Sequence, residues 1–265
     1  RSSAVGYSNT ASLGNSSAIG TFNTASGSYS SALGYNNTAS GNYSSASGYY
    51  NTASGYYSSA LGAFTTASGE FSFSSGSGAY GALICATGDS SVAVGTASGY
   101  SGIATQATAN CASAFGVGSC ATGLASSALG YNNIASAERS VAFGFENNAG
   151  GYYALAIGSQ NTAGGYCASA LGYNNTASGD RSASLGFNNT TCGSESSASG
   201  YKNTASGSNS SASGYNNTAS GDFSSAFGYN NTACGSRSST FGLNNTVSGS
   251  FSSASGYNNT ASGNY

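Results

Sequence analysis

The polar and apolar positions of this chain repeat every seven residues. Most heptads carry Ser, Asn or Thr at positions one and two, Ala at position three and Gly at position five. Position four is often large and apolar in one heptad and Ser in the next, so the full unit is fourteen residues, as in "SSALGYNNTASGNY" over residues 30–43. Alternating residues followed by two turn residues predict a short strand and a tight corner.

Glycine marks the period along most of the chain. One series runs Gly6, Gly20, Gly34, Gly48, Gly62 and another falls halfway between, as Gly27, Gly41, Gly55, Gly69. A fixed period of this kind is typical of solenoids. We therefore predict an all-β fold, a parallel β-roll or β-solenoid of fourteen-residue coils with two strands per coil. Glycine at the end of each strand suits a corner that needs positive φ.

The period changes phase in one segment. Gly69 and Gly81 are twelve residues apart. The spacing of seven residues then returns at Gly81, Gly88, Gly95 and Gly102. The segment of about 71–114 is expected to be a distorted coil or a loop. Because the same repeat runs on both sides of it, residues 1–265 are expected to form a single repetitive domain.

Charged residues distinguish an ordered repeat from disordered low-complexity sequence. Only 5% of the residues are charged and the net charge is −2. Every one of these residues occupies position six or seven, where a coil would turn toward water: Arg1, Glu70, Asp89, Glu138, Arg139, Glu146, Asp180, Arg181, Glu195, Lys202, Asp222 and Arg237. The chain is expected to be ordered. The charge balance excludes an electrostatic nucleic-acid binder, and no apolar run is long enough to insert into a membrane.

Strand alternation would place positions one, three and five on one side of each strand and positions two and four on the other. The first set is small enough to fill a narrow roll, which would leave an apolar column at position four facing outward in need of a partner. The alternative, with positions two and four pointing inward, stays open because periodicity alone does not orient a strand. The candidate oligomer-interface residues are Ile19, Leu33, Leu61, Phe115, Leu129, Phe143, Ile157, Leu171, Leu185, Phe227 and Phe241.

A corner column carries aromatic residues that would stack at the coil spacing of about 4.8 Å. Beside it, pairs such as Asn36 and Asn37 would form amide ladders. We interpret both as structural, with a ligand site as the alternative. The candidate stacking residues are Tyr35, Tyr49, Tyr131, Tyr173, Tyr201, Tyr215, Tyr229 and Tyr257.

The second heptad carries Thr at position two and Ser at position four. This pattern predicts a flat face of hydroxyls and methyls that could contact an ordered surface such as ice or a polysaccharide. Its candidate residues include Thr204, Thr218, Thr232, Thr246 and Thr260.

The sequence contains few residues that could carry out catalysis or bind a metal ion. There is no His, which excludes Ser-His and Cys-His nucleophile pairs, and the carboxylates are single. "GSGAYG" over residues 76–81 matches a dinucleotide-binding pattern only formally, so no cofactor, metal or catalytic residue is expected.

Among the six cysteines, Cys192 and Cys234 share a column but lie three coils apart, too far for a disulfide. Small-residue roles are expected for the cysteines, with bridges between chains as the alternative.

Four segments resemble the S-V-A-I-G repeat of trimeric autotransporter adhesin heads, the YadA-like group. They are "NSSAIG" (15–20), "SSVAVG" (90–95), "RSVAFG" (139–144) and "YALAIG" (153–158). The resemblance implies a left-handed parallel β-roll that associates in threes through one face. It places the column of Ile19, Leu33 and Leu171 at the trimer interface. It also implies a stalk and outer-membrane anchor elsewhere, and binding to host surfaces or extracellular matrix.

The expected function is a non-enzymatic adhesive fibre, extracellular or at the cell surface. Its expected partners are copies of itself, as a homotrimer or an end-to-end filament, and host matrix or glycan. The alternatives are a surface-binding solenoid that uses the Thr-x-Ser face, a self-assembling filament subunit and a phage tail-fibre shaft.

Overall fold

The computed structural model describes residues 1–79, 81–97, 102 and 104–264, and in this part of the chain it contains strands and turns but no helix. The predicted all-β parallel solenoid is confirmed. The chain divides into two compact units, residues 1–139 and residues 140–265. In each unit, strands of about five residues alternate with strands of two or three, one long and one short strand per coil.

The first unit contains β1 (Ser3–Tyr7), β2 (Thr10–Ala11), β3 (Ser17–Thr21), β4 (Thr24–Ala25), β5 (Ser31–Tyr35), β6 (Thr38–Ala39), β7 (Ser45–Tyr49), β8 (Thr52–Ala53), β9 (Ser59–Ala63), β10 (Thr65–Ala67), β11 (Phe73–Ser77), β12 (Ile84–Ala86), β13 (Val92–Thr96), β14 (Gln106–Ala107), β15 (Ser113–Val117), β16 (Cys120–Ala121), β17 (Ser127–Tyr131) and β18 (Ile134–Ala135).

The second unit contains β19 (Val141–Phe145), β20 (Asn148–Ala149), β21 (Leu155–Ser159), β22 (Thr162–Ala163), β23 (Ser169–Tyr173), β24 (Thr176–Ala177), β25 (Ala183–Phe187), β26 (Thr190–Thr191), β27 (Ser197–Tyr201), β28 (Thr204–Ala205), β29 (Ser211–Tyr215), β30 (Thr218–Ala219), β31 (Ser225–Tyr229), β32 (Thr232–Ala233), β33 (Ser239–Leu243), β34 (Thr246–Val247), β35 (Ser253–Tyr257) and β36 (Thr260–Ala261).

Within each unit, every long strand pairs in parallel with the long strand of the next coil, and the short strands do the same. The register joins residues fourteen apart, as in Ala198 with Ala212 on β27 and β29 and Thr204 with Thr218 on β28 and β30. Equivalent positions of the repeat are therefore stacked in columns along each unit.

The interior of the roll is filled by positions one and three of both heptads. Ala32 and Ala39 are almost completely buried, and so are Ser30 and Asn37. Positions two and four point outward, as predicted, so the alternative in which they pack across the roll is wrong for the described coils. Because alanine dominates, the largest fully buried side chains are Ile84, Val247 and a set of asparagines. This core is narrow and contains unusually much polar material.

A column of buried asparagines at position one of the second heptad joins successive coils. The Nδ2 atom of Asn203 lies 3.0 Å from Oδ1 of Asn189 and 2.8 Å from the carbonyl oxygens of Ser199 and Gly214. Its own Oδ1 accepts the backbone and side-chain N–H groups of Asn217, both at 3.0 Å. Each buried amide is thus satisfied within its own coil and by the coils on either side.

The two glycines of each coil have different roles. Gly214, at the end of a long strand, has φ +116, and a Cβ there would collide with the carbonyl oxygen of Gly228. Gly207, in the second heptad, lies outside the left-handed region, but its Cβ would meet the backbone of Gly221. The prediction that glycine supplies positive φ at both corners is therefore wrong for the second heptad, where close approach of coils requires it.

Non-glycine residues at position seven provide the left-handed corners. Asn216 has φ 54 and Tyr43 has φ 57, and position seven repeats this geometry in nearly every described coil. The strain of such a conformation is about 1–2 kcal/mol for an ordinary residue. Most of these residues donate their backbone N–H to a carbonyl in the preceding coil, as Asn216 does to Tyr201 at 2.8 Å, and this bond stabilises the corner.

The irregular segment contains two insertions rather than one change of phase. Residues Thr65 and Ile84 pair at an offset of nineteen, and Cys85 and Gln106 pair at an offset of twenty-one. The coils resume in register after each insertion, so Gly81 and Gly102 belong to the insertions and not to the repeat. Lengthening a surface corner costs little loop entropy, which is why both coils tolerate it. Residues 80, 98–101 and 103 of the predicted irregular segment, including one residue of "GSGAYG", lie outside the described residues.

Substitution of Gly165 by Ala is expected to destabilise the surrounding coils by about 3 kcal/mol, because the new Cβ would collide with the backbone of Gly179. The neighbouring Gly164 is the matched control, since a Cβ there meets nothing within 4 Å. Native-state hydrogen exchange measures the opening free energy of individual coils. Equal losses in the two variants would contradict the role assigned to Gly165.

Substitution of Asn217 by Ala is expected to lower the opening free energy of the surrounding coils by about 3 kcal/mol, because it leaves buried hydrogen-bonding groups on both neighbouring coils without partners. Asn217→Thr should recover part of this loss. At the equivalent position Thr65 keeps one such bond, from its Oγ1 to Oδ1 of Asn51 at 2.7 Å. The same exchange measurement compares the two variants. A threonine variant no more stable than the alanine variant would show that the hydrogen bonds are not what matters.

Candidate binding surfaces

The outward face of the long strands carries the apolar column of position four. Six of its predicted members are exposed and the other five are half-exposed. Members on adjacent paired strands lie side by side, as do Phe227 and Phe241, whose rings stack at 5.4 Å between centroids. The exposed members are Ile19, Leu33, Phe115, Phe143, Leu185 and Phe241, and the half-exposed ones are Leu61, Leu129, Ile157, Leu171 and Phe227.

Sequence reasoning missed four apolar residues that widen this column at position two. They form two pairs of neighbours on adjacent long strands, Phe73 with Val92 and Val141 with Leu155. The sequence does contain the signal, because an apolar residue stands at position two of these heptads where most others have Ser. The apolar surface is therefore broadest at these two places, one in each unit.

The outward face of the short strands is the threonine face, defined by positions two and four of the second heptad. In the second unit, threonine occupies position two on eight successive coils, from Thr162 to Thr260. Of the predicted members, Thr204, Thr218 and Thr232 are half-exposed, whereas Thr246 and Thr260 are exposed. In the described coils no charged residue occupies either position.

The first corner, at positions six and seven of the first heptad, contains the predicted aromatic column. Five rings form a continuous run in the second unit, with near-parallel planes and centroid separations of 4.7–5.0 Å. In the first unit Tyr35 and Tyr49 stack at 5.3 Å, and Tyr131 lies in the same column. Tyr257 is 69% exposed. The run of five, called the ring ladder below, is Tyr173, Phe187, Tyr201, Tyr215 and Tyr229.

The second corner, at positions six and seven of the second heptad, holds an aromatic stack that sequence reasoning did not single out. Tyr29, Tyr43, Tyr57 and Phe71 stack at 4.9, 4.8 and 5.2 Å. The signal was again a spacing of fourteen residues, at position seven instead of six.

Most charged residues also lie at the second corner, and several of them support the coil. The guanidinium of Arg237 lies 5.6 Å from the ring of Phe223 and 5.2 Å from that of Phe251. Oδ1 of Asp222 accepts the backbone N–H of Ser208 at 2.9 Å. These charges therefore have structural contacts.

All six cysteines are free thiols. Cys111, Cys167, Cys192 and Cys234 are exposed, whereas burial raises the pKa of the half-buried Cys85 and Cys120 thiols. The described residues contain no cluster of His, Cys, Asp and Glu that could hold a metal ion. Among those same residues there is also no helix long and apolar enough to span a membrane.

Comparison with protein families connects this repeat architecture to known proteins. A family model described as the YadA head domain repeat matches residues 1–23, 25–51, 53–79, 121–147, 168–189, 193–217 and 205–231, more than half of the chain. The chain belongs to the YadA head repeat family. This is a structural adhesin family, and YadA-like heads form trimers and lie at the cell surface. A search among curated proteins gave no match.

Thiol labelling is expected to separate the cysteines of this YadA-type head into two classes. Four exposed thiols should react quickly near pH 8, and two should react slowly because a raised pKa leaves less thiolate at that pH. The slow class should accelerate as the pH rises toward the raised pKa. Mass spectrometry of labelled protein counts both classes, with Cys120→Ser removing a slow site and Cys192→Ser a fast one. Six equally fast thiols in the folded protein would contradict the burial of Cys85 and Cys120.

Proposed function

We propose that this chain is a non-enzymatic, extracellular adhesive head whose apolar column is buried in a homotrimer. The observation that carries the proposal is the exposure of large apolar side chains along a roll that is otherwise small and polar. Phe143 is 51% exposed and Phe241 is 47% exposed in the single chain. Burying apolar surface contributes about 25 cal/mol per Å², so a column repeated over many coils favours association.

The chemistry of the faces supports the long-strand face as the interface. The threonine face offers hydroxyls and single methyls, and the second corner carries most of the charges, which are costly to bury unpaired. The apolar column offers large apolar side chains and would bury no charge. It is interrupted by serines, and Ser199 donates its hydroxyl to Ser213 at 2.9 Å, so this break is hydrogen-bonded within the chain.

The adhesive role is the second part of the proposal. The family supplies the class, an adhesin at the cell surface, and the ligand of this head is proposed to be host matrix or glycan. A specific observation favours a second candidate, a surface-binding solenoid that recognises ice or a polysaccharide. It is the run of threonines on eight successive coils, an array that ordinary strand packing does not demand. End-to-end filaments, a tail-fibre shaft and left-handed winding stay predictions.

Light scattering of the double variant Leu171→Lys, Leu185→Lys is expected to show monomers, whereas the native chain gives a trimer. Three copies of each lysine would meet at the interface, where charges are desolvated and repel one another. The control is Thr176→Lys, Thr190→Lys, which places the same charges on the opposite face and should leave the trimer intact. The masses are measured with and without reductant to separate association from bridging thiols. A native monomer, or a trimer that survives the leucine changes, would contradict the proposed interface.

A further inference from the structure

We infer that the first corner of residues 140–265 is a binding edge for a neutral polysaccharide. The edge consists of the ring ladder, the amide column at position seven beside it and the threonines at position two of the second heptad. The inference rests on the proposed adhesive function and deepens it by naming the class of ligand and the surface that takes it.

The fold does not require aromatic rings at this position. The same column holds Ala63 and Ser77 in the first unit and Ser159 in the second, and those coils keep the same parallel pairing. The rings of the ladder are also far from buried, with Tyr215 41% and Tyr229 49% exposed. Five consecutive rings therefore exceed what the backbone needs.

The ring ladder exposes a regular apolar surface. Near-parallel planes with centroids 4.7–5.0 Å apart indicate offset stacking, in which each ring covers only part of the next. The parts of the rings that their neighbours do not cover remain exposed, and Tyr173 and Phe187 are 43% and 41% exposed. At Tyr201 the ammonium of Lys202 lies 5.3 Å from the ring centroid. Tyrosine gives a rigid, amphipathic contact at low entropic cost, which suits a ligand with apolar faces and hydroxyl edges.

The amide column runs parallel to the rings. Nδ2 of Asn174 donates to Oδ1 of Asn188 at 3.0 Å. After an interruption at Lys202, Asn216 donates to Asn230 at 2.8 Å and Asn230 donates to Asn244 at 2.9 Å. A primary amide has two donors and two acceptor lone pairs, so a member with both neighbours in the column keeps one N–H and one lone pair for a ligand. A repeating pair of donor and acceptor is what the vicinal hydroxyls of a sugar chain would engage.

The low charge of this edge and its backbone hydrogen bonds argue against two other ligands, a polyanion and a strand of another protein. Lys202 is the single cation among its ladder and amide positions, which is too little for a polyanion. The backbone along the corner is already paired between coils, with Asn216 N–H to the Tyr201 carbonyl and Asn230 N–H to the Tyr215 carbonyl, both at 2.8 Å. A strand from another protein consequently has no free backbone groups to pair with here.

Repetition identifies the ligand as a linear polymer. Ring and threonine hydroxyl recur on each coil of the ladder at about 4.8 Å, and the amide recurs on all of them except the coil of Tyr201, where Lys202 takes its place. A neutral polysaccharide repeats apolar ring faces and hydroxyls along its length. Each subsite would be weak alone. Several consecutive subsites on one rigid support would bind with avidity.

The test is retention of the trimeric head on insoluble cellulose, chitin and β-1,3-glucan, with anionic alginate beads for comparison. The variants introduce serine, the residue that the column carries at position 159. Tyr201→Ser divides the ladder into two pairs, whereas Tyr229→Ser shortens it from one end. The control is Tyr152→Ser, which removes a ring that is 56% exposed at the second corner.

The native head should be retained by at least one neutral polysaccharide, with about tenfold weaker binding for Tyr201→Ser and about twofold for Tyr229→Ser. Tyr152→Ser should bind as the native head does. Retention on alginate alone, no retention on any neutral polysaccharide, or equal losses at positions 152 and 201 would overturn the inference. Light scattering of each variant separates the two proposals, because a head that is trimeric but not retained contradicts only the binding edge.

Discussion

The buried amide column is the interaction on which the rest of this structure depends. Each asparagine side chain bonds to the coil before it, to its own coil and to the coil after it, as Asn203 does with Asn189, Ser199 and Asn217. A shift of register would leave these groups buried without partners, at a cost of about 1–3 kcal/mol for each. Alanine contacts are too uniform to oppose such a shift. Polar pairing therefore sets the register, and the apolar core only fills the remaining space.

Close approach of the coils follows from that pairing. Stacked glycine backbones leave no room for a Cβ at Gly207 or Gly214, and residues with left-handed φ at position seven, most of them not glycine, turn the chain at the corners. The interior thus accepts few residue types. Outward positions are under little such constraint, since Ser, Ala and Tyr all occupy the ring column without change of pairing. A side chain that repeats along an outward column of one unit is for this reason informative about binding.

Each outward surface of the roll suits a different function. The long-strand face is apolar and suits contact with other copies of the chain, as in the trimers of YadA-like heads. The second corner collects charge, much of it in structural contacts such as Arg237 between Phe223 and Phe251. The first corner and the threonine face remain for neutral ligands. A narrow roll of this type can separate association from recognition because its faces share almost no side chains.

The sequence by itself determined the fold class and the coil length, because a period of fourteen with small residues at fixed sites is compatible with few other structures. It left open which side of each strand faces inward, since periodicity alone does not orient a strand. It also located the apolar column, the aromatic column and the threonine face by residue number. Only the tertiary structure decided which of two adjacent asparagines is buried, as for Asn37 rather than Asn36, since both have the same local sequence signal. It likewise separated the two roles of glycine and resolved one apparent change of phase into two insertions. These features depend on distances between coils, which no pattern within a single coil records.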